Sequence, residues 1–130
     1  MIKPYLYVKK MSVKGRGVFT NERIPAGVII ETSPVIVMSK ADRLKLDNTR
    51  LHDYIFEWGQ QKESCCMALG FVPMYNHSYK SNCEYFMNFE DELIQVKTVR
   101  VIAKGEELTI NYNGNWNDPK KVWFEVNDEL

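Results

Sequence analysis

The sequence predicts a mainly β, β-rich α+β fold built as one domain. Three observations carry that prediction. Short runs rich in valine, isoleucine and aromatic residues recur along the chain. Turn signals made of glycine, proline and asparagine separate them. One stretch alone repeats its apolar residues at helical spacing. Regular strand–helix alternation is missing, which excludes a doubly wound parallel sheet.

Taken in order, Tyr5 to Val8 is aromatic and β-branched enough to be a strand. Lys14-Gly15-Arg16-Gly17 predicts a turn, and Val18-Phe19 a short strand after it. Ile24-Pro25-Ala26-Gly27 is a second turn, with proline presetting φ. Val28 to Glu31 and Val35 to Met38 read as strands interrupted at Ser33-Pro34. Leu51, Tyr54, Ile55 and Trp58 fall at i, i+3, i+4 and i+7, which predicts a helix over 51–58. Asp47 or Asn48 would cap its start and Gly59 its end. Residues 67–72 are apolar and compatible with strand or helix; Pro73 stops them. Residues 74–84 form a polar segment. Tyr85 to Phe89 and Leu93 to Ile102 predict two strands joined at Glu90-Asp91-Glu92. The apolar phase of the second slips at Thr98, which suggests a bulge or burial on both faces. Lys104-Gly105-Glu106 is a turn. Leu108, Ile110 and Tyr112 alternate with Thr109 and Asn111 as a half-buried strand, ended by Asn113-Gly114-Asn115.

Composition narrows the function. The chain has 130 residues, 45% of them hydrophobic, enough for one core and short for two. Lys+Arg and Asp+Glu both count 17, a net charge of zero. A chain that lives by neutralising phosphates is usually basic, so nucleic acid is not expected as the main direct ligand, although a local patch stays open. No apolar run reaches the ~18 residues of a membrane span, and the start lacks a signal-peptide core. Three cysteines without paired spacing argue against a disulfide scaffold and, because Cys65 and Cys66 are adjacent, against a metal site. An intracellular, soluble domain with no metal is the expectation.

Single motifs say little. Gly15-Arg16-Gly17 could expose backbone N–H groups to an anionic ligand group or be only a hairpin turn. Asn76-His77-Ser78 could hold a polar ligand or satisfy buried backbone. Asp91-Glu92 and Glu106-Glu107 read as solvated turn charges, with Glu107 equally able to satisfy backbone. Tyr112 alone reads as a core aromatic with its hydroxyl at the edge.

In combination the motifs become specific. Gly15-Arg16-Gly17-Val18-Phe19 near the start, Asn76-His77-Ser78 with Asn82 in the second half, and Gly105-Glu106-Glu107-Leu108-Thr109-Ile110-Asn111-Tyr112 near the end resemble the SET domain of protein lysine methyltransferases. The resemblance runs from about Tyr5 to Gly114 and looks like a minimal stand-alone protein of the bacterial or viral sort. It implies several small curved sheets, a knot-like crossing, and a short helical insert at about 40–65. It implies S-adenosyl-L-methionine as cofactor and a protein or peptide lysine, histone-like or other, as substrate. By position, Gly15, Arg16, Gly17, Asn76 and His77 would line the cofactor site. Tyr112 would sit between methyl donor and target amine, the one catalytic residue. Tyr54 would line the lysine channel. The family's cysteine-rich cover is absent, so the tail 115–130, with Trp116, Trp123 and Phe124, is the expected lid, and a homodimer is a second source of one. The reading that competes with an enzyme is a SET-like module that binds without turnover.

Overall fold

The computed structural model describes residues 1–13, 15–60 and 62–113. Trp116, Trp123 and Phe124 lie outside the described residues. Nine strands form two sheets. The first sheet orders β1 (Leu6–Met11), β2 (Gly15–Thr20), β9 (Glu107–Ile110) and β6 (Asn76–His77). The second orders β4 (Phe56–Trp58), β5 (Ser64–Ala68), β3 (Ile29–Met38), β8 (Leu93–Thr98) and β7 (Cys83–Asn88). One α-helix, α1 (Lys40–Leu46), and two 3-10 turns, Arg50–Asp53 and Val72–Met74, complete the described elements. The mainly β prediction holds. Among the described residues no helix is long and apolar enough to cross a membrane.

Among the described residues all strand pairings are antiparallel except one. β6 runs parallel to β9 over two positions, Asn76 beside Thr109 and His77 beside Ile110. Ser78 N extends the contact by donating to Ile110 O at 3.0 Å. Such a short parallel pair needs outside support, and Asn82 supplies it. Its Oδ1 accepts from Thr109 N at 2.8 Å and its Nδ2 donates to Glu107 O at 2.8 Å. β9 is therefore buried on both faces, with Leu108, Thr109, Ile110 and Asn111 all at 8% exposure or less, not half-buried as its alternation suggested.

Three local expectations are corrected. The helix predicted over 51–58 is not there. Thr49 Oγ1 accepts from Leu51 N, which starts only one 3-10 turn, and Phe56 and Trp58 enter β4 against Cys66 and Ser64. The same residues satisfy strand alternation, and the free edge of β5 offers backbone partners that an isolated eight-residue helix lacks. The helix of the insert lies earlier, at Lys40–Leu46, where Ser39 Oγ accepts from Asp42 N. Second, β3 is one ten-residue strand through Ser33-Pro34. It pairs with β8 up to Pro34 and with β5 from Val35, so proline occupies the change of partner and removes no needed donor. Third, the slip at Thr98 is a strand end. Thr98 Oγ1 accepts from Val28 N and donates to Pro25 O, and Ile102 crosses to pair with Ile24.

The core runs between the sheets through Val18, Ile30, Val72, Ile94, Val96 and Leu108. The three cysteines are reduced and buried there as small hydrophobes. One fully buried acid breaks the apolar pattern. Glu31 accepts from Ser33 Oγ at 2.6 Å, Phe71 N at 2.8 Å and Tyr75 OH at 3.0 Å. Burial pushes its carboxyl above the ordinary range, and these bonds offset that only in part. Gly70 turns over this carboxylate at φ 66°, and a Cβ there would run into Glu31 Oε2 and Ser33 Oγ.

Glu31→Ala leaves buried donors unmet and should cost at least about 2 kcal/mol in urea unfolding. Glu31→Gln keeps one acceptor oxygen for Ser33 Oγ and Phe71 N, and its NH2 can donate to a rotated Tyr75 hydroxyl, so it should cost less, about 1 kcal/mol. A folded-state pKa above the unfolded value stabilises at low pH and fades as pH rises through it. The advantage of wild type over Glu31→Gln should therefore be largest in acid and narrow towards neutrality.

Candidate functional site

The parallel β6–β9 pair brings the three sequence motifs together. On one side, Asn76 Nδ2 donates to Arg16 O at 3.0 Å and to Glu107 Oε2 at 2.8 Å. Asn76 thus joins the Gly15-Arg16-Gly17 segment to the end of the chain's core. Those glycines open β2 instead of forming the expected turn, since Gly15 already pairs with Met11. Gly17 lets three side-chain ends crowd against β2. A Cβ on it would sit 2.6 Å from Glu107 Oε2, 2.8 Å from Met11 Cε and 3.0 Å from Asn76 Nδ2. Gly15 and Arg16 are exposed beside it.

On the other side lies Tyr112, two residues past β9. Its backbone N donates to His77 Nδ1 at 2.9 Å, which places the neutral ring's proton on Nε2. His77 is 3% exposed and its ring tilts against Tyr112 at 5.2 Å. The Tyr112 hydroxyl donates to Tyr75 O at 2.7 Å. Burial, then the neighbouring Tyr85 hydroxyl and Glu107, push its pKa well above the ordinary tyrosine value. The phenol is therefore protonated through the neutral range.

Tyr112 borders a cavity of about 660 Å³ between the second sheet and the insert. Tyr54, Phe56, Tyr85 and Phe89 also line it. Phe56 meets Tyr85 edge-on at 5.4 Å and Tyr112 at 6.4 Å. Tyr85 OH donates to Tyr112 O at 3.2 Å and so ties the two sheets together at the cavity. Burial, aided by Glu57 and Cys66, pushes Tyr85 up to about 12. The rest of the lining is mixed in charge: Asp47, Asp53 and Glu57 share it with Arg43 and Lys62, and Arg43 lies 3.5 Å from the Glu57 carboxylate.

Gly15, Arg16, Gly17, Asn76, His77, Tyr112 and Tyr54 thus fall in one continuous region. Tyr54 reaches the cavity from the end of a 3-10 turn, not from a helix. Sequence reasoning missed Phe56 and Tyr85, although Tyr85, Met87 and Phe89 alternate on one face of β7 and all line the cavity. Glu106 and Glu107 are not simply solvated. Burial works against the Glu106 charge, yet Arg100, Ala103 N and Asn82 hold its carboxyl below the usual range. Among the described residues no group of three His, Cys, Asp or Glu side chains could hold a metal ion.

Comparison with known proteins adds four findings. The family model for the SET domain matches residues 15–113. A Schizosaccharomyces pombe protein named histone-lysine N-methyltransferase, H3 lysine-37 specific, is 34% identical over 96% of this chain and 80% of its own. A crystal structure of a Plasmodium falciparum protein described as a candidate histone methyltransferase superposes with a TM-score of 0.66 at 28% identity, covering 88% of this chain and 98% of that one. A mutant Polycomb Repressive Complex 2 from Chaetomium thermophilum shares the fold alone, with a TM-score of 0.73 at 20% identity over 92% of this chain and 16% of that one.

Gly17→Ala should cost about 1 kcal/mol, because the ends of the Glu107, Met11 and Asn76 side chains must give way to the new methyl. A thermal melt reads the loss, and an unchanged melting temperature would mean the close approach is not required.

Proposed function

The chain belongs to the SET domain family, as an S-adenosylmethionine-dependent protein-lysine N-methyltransferase, and from that premise we propose that it methylates a lysine in a histone H3-type tail. The observation that carries the substrate is the 34% identity with an H3-specific relative along nearly the whole chain.

The site residues fit the two ligands on opposite sides of Tyr112. Towards the cofactor, Asn76 Oδ1 suits an ammonium group, and the exposed backbone at Gly15 and Arg16 suits a carboxylate. His77 stands next to Asn76 for the adenine end. When bound, S-adenosylmethionine supplies an electrophilic sulfonium methyl. Everything else is the work of this chain's residues.

A lysine side chain enters by the aromatic cavity. Its ordinary pKa of about 10.4 keeps it charged in water, and a charged amine has no lone pair for attack. The desolvating walls of Tyr54, Phe56 and Tyr85 favour its neutral form. Tyr112 is no base at neutral pH, because its own proton is held more tightly than in free tyrosine. Its role is to orient. With its proton committed to Tyr75 O, the phenol oxygen accepts an amine N–H and aims the lone pair. Residues 115–130, with Trp116, Trp123 and Phe124, close the channel, from the same chain or from a second copy in a homodimer.

Tyr112→Phe should lower kcat on an H3 tail peptide by on the order of 100-fold while costing only about 1 kcal/mol of stability. Full turnover in that variant would remove Tyr112 from the chemistry. Deleting residues 115–130 should abolish methylation and leave the melting transition of the remainder intact; retained activity would show that the tail is no lid. An H3 peptide left unmethylated, while another protein in a substrate panel is modified, would shift the substrate away from histones.

A further inference from the structure

Asn76 and Glu107 together hold information about how the amide is turned. Asn76 Nδ2 donates to Arg16 O at 3.0 Å and to Glu107 Oε2 at 2.8 Å. A carbonyl and a carboxylate can only accept, so the NH2 end of the amide must face them. Both N–H groups are then committed. Among the described residues nothing donates to Asn76 Oδ1, which is left as the acceptor of this half-buried side chain.

Glu107 itself is held in place. It opens β9, its backbone O accepts from Asn82 Nδ2 at 2.8 Å, its Oε2 accepts from Asn76 Nδ2 at 2.8 Å, and Gly17 lies against its carboxylate. The carboxylate is a fixed acceptor whose position follows from the clamp on β9.

We propose that Glu107 is a positioning residue for cofactor binding: it locks the Asn76 amide so that Oδ1 accepts a hydrogen bond from the α-ammonium of S-adenosylmethionine. This inference rests on the cofactor site assigned above. Glu107 touches neither reacting atom. Without it, the amide is restrained by Arg16 O alone and can turn its NH2 towards the ammonium, a donor facing a donor. Because one of two restraints remains, the effect is a partial loss of affinity, not its abolition.

The test uses calorimetry with three ligands: S-adenosylmethionine, S-adenosylhomocysteine, and the deamino analogue of the latter, which lacks only the α-ammonium. Glu107→Ala and the nearly isosteric Glu107→Met, which has no acceptor, should each weaken the first two ligands about tenfold. The deamino analogue should bind both variants as it binds wild type. Glu107→Gln, whose Oε1 still accepts from Asn76 Nδ2, should stay within about threefold of wild type for every ligand. In Asn76→Ala the further change Glu107→Ala should add no loss.

Equal weakening of the deamino analogue would make Glu107 a merely structural residue and overturn the proposal, as would unchanged affinity in Glu107→Met. Losses that add in the double variant would show that Glu107 acts independently of Asn76. Failure of the wild type to bind any of the three would instead bring down the cofactor site itself, and the proposal with it.

Discussion

Two rungs of parallel pairing between β6 and β9 hold the site together. Parallel strands cannot be joined by a tight turn, and about thirty residues separate these two. Left alone, a two-residue pair is too short to persist. The chain compensates with side chains that behave as extra backbone. Asn82 adds a donor and an acceptor to β9, Thr109 Oγ1 returns a contact to Asn82 N, and His77 Nδ1 accepts from the N–H just past the strand. Polar groups with these short bonds are buried without penalty. The placement of the motif residues follows from that clamp: Asn76 faces Arg16 and Gly17, while Tyr112 borders the cavity lined by Tyr54, Phe56 and Tyr85.

A division of labour follows from burial. Around Asn76 the side chains are half-exposed and hydrogen-bonded, as suits a charged amino-acid moiety that retains contact with water. Around Tyr112 the side chains of Tyr54, Phe56 and Tyr85 are partly buried aromatics, which fits the proposed entry of a lysine amine. Tyr85 makes the division firm, since it belongs to the second sheet yet donates to the Tyr112 carbonyl of the first. The buried Glu31 cluster serves the same geometry from beneath. It holds Tyr75 by its hydroxyl, and the Tyr75 carbonyl in turn holds the Tyr112 hydroxyl.

Much of this was readable from the residues, and the gaps have physical causes. Turn chemistry and alternation located most strands, and the conjunction of three motifs led to Tyr112, Asn76 and His77. Leu51, Tyr54, Ile55 and Trp58 misled because Phe56 and Trp58 also satisfy strand alternation, and only the free edge of β5 decides between the two. Tyr54 reached the cavity all the same, since a 3-10 turn carries it there. Glu31 left a signal that was open to reading: one acid amid Val28, Ile29, Ile30 and Val35 is out of place unless its partners are buried with it. Glu107 left none, because its role depends on a strand register that sequence does not reveal. Trp116, Trp123 and Phe124 lie outside the described residues, and their part in closing the channel stands as a proposal.

The central claim is that cofactor and substrate amine approach Tyr112 from opposite sides. A crystal structure with S-adenosylhomocysteine and a lysine-containing H3 peptide tests it most directly. The account requires the cofactor against Gly15–Gly17 and Asn76, the lysine between Tyr54, Phe56 and Tyr85, and the sulfur and amine converging beside the Tyr112 hydroxyl. Cofactor density inside the aromatic cavity, or a lysine seated on the Asn76 side, would contradict it.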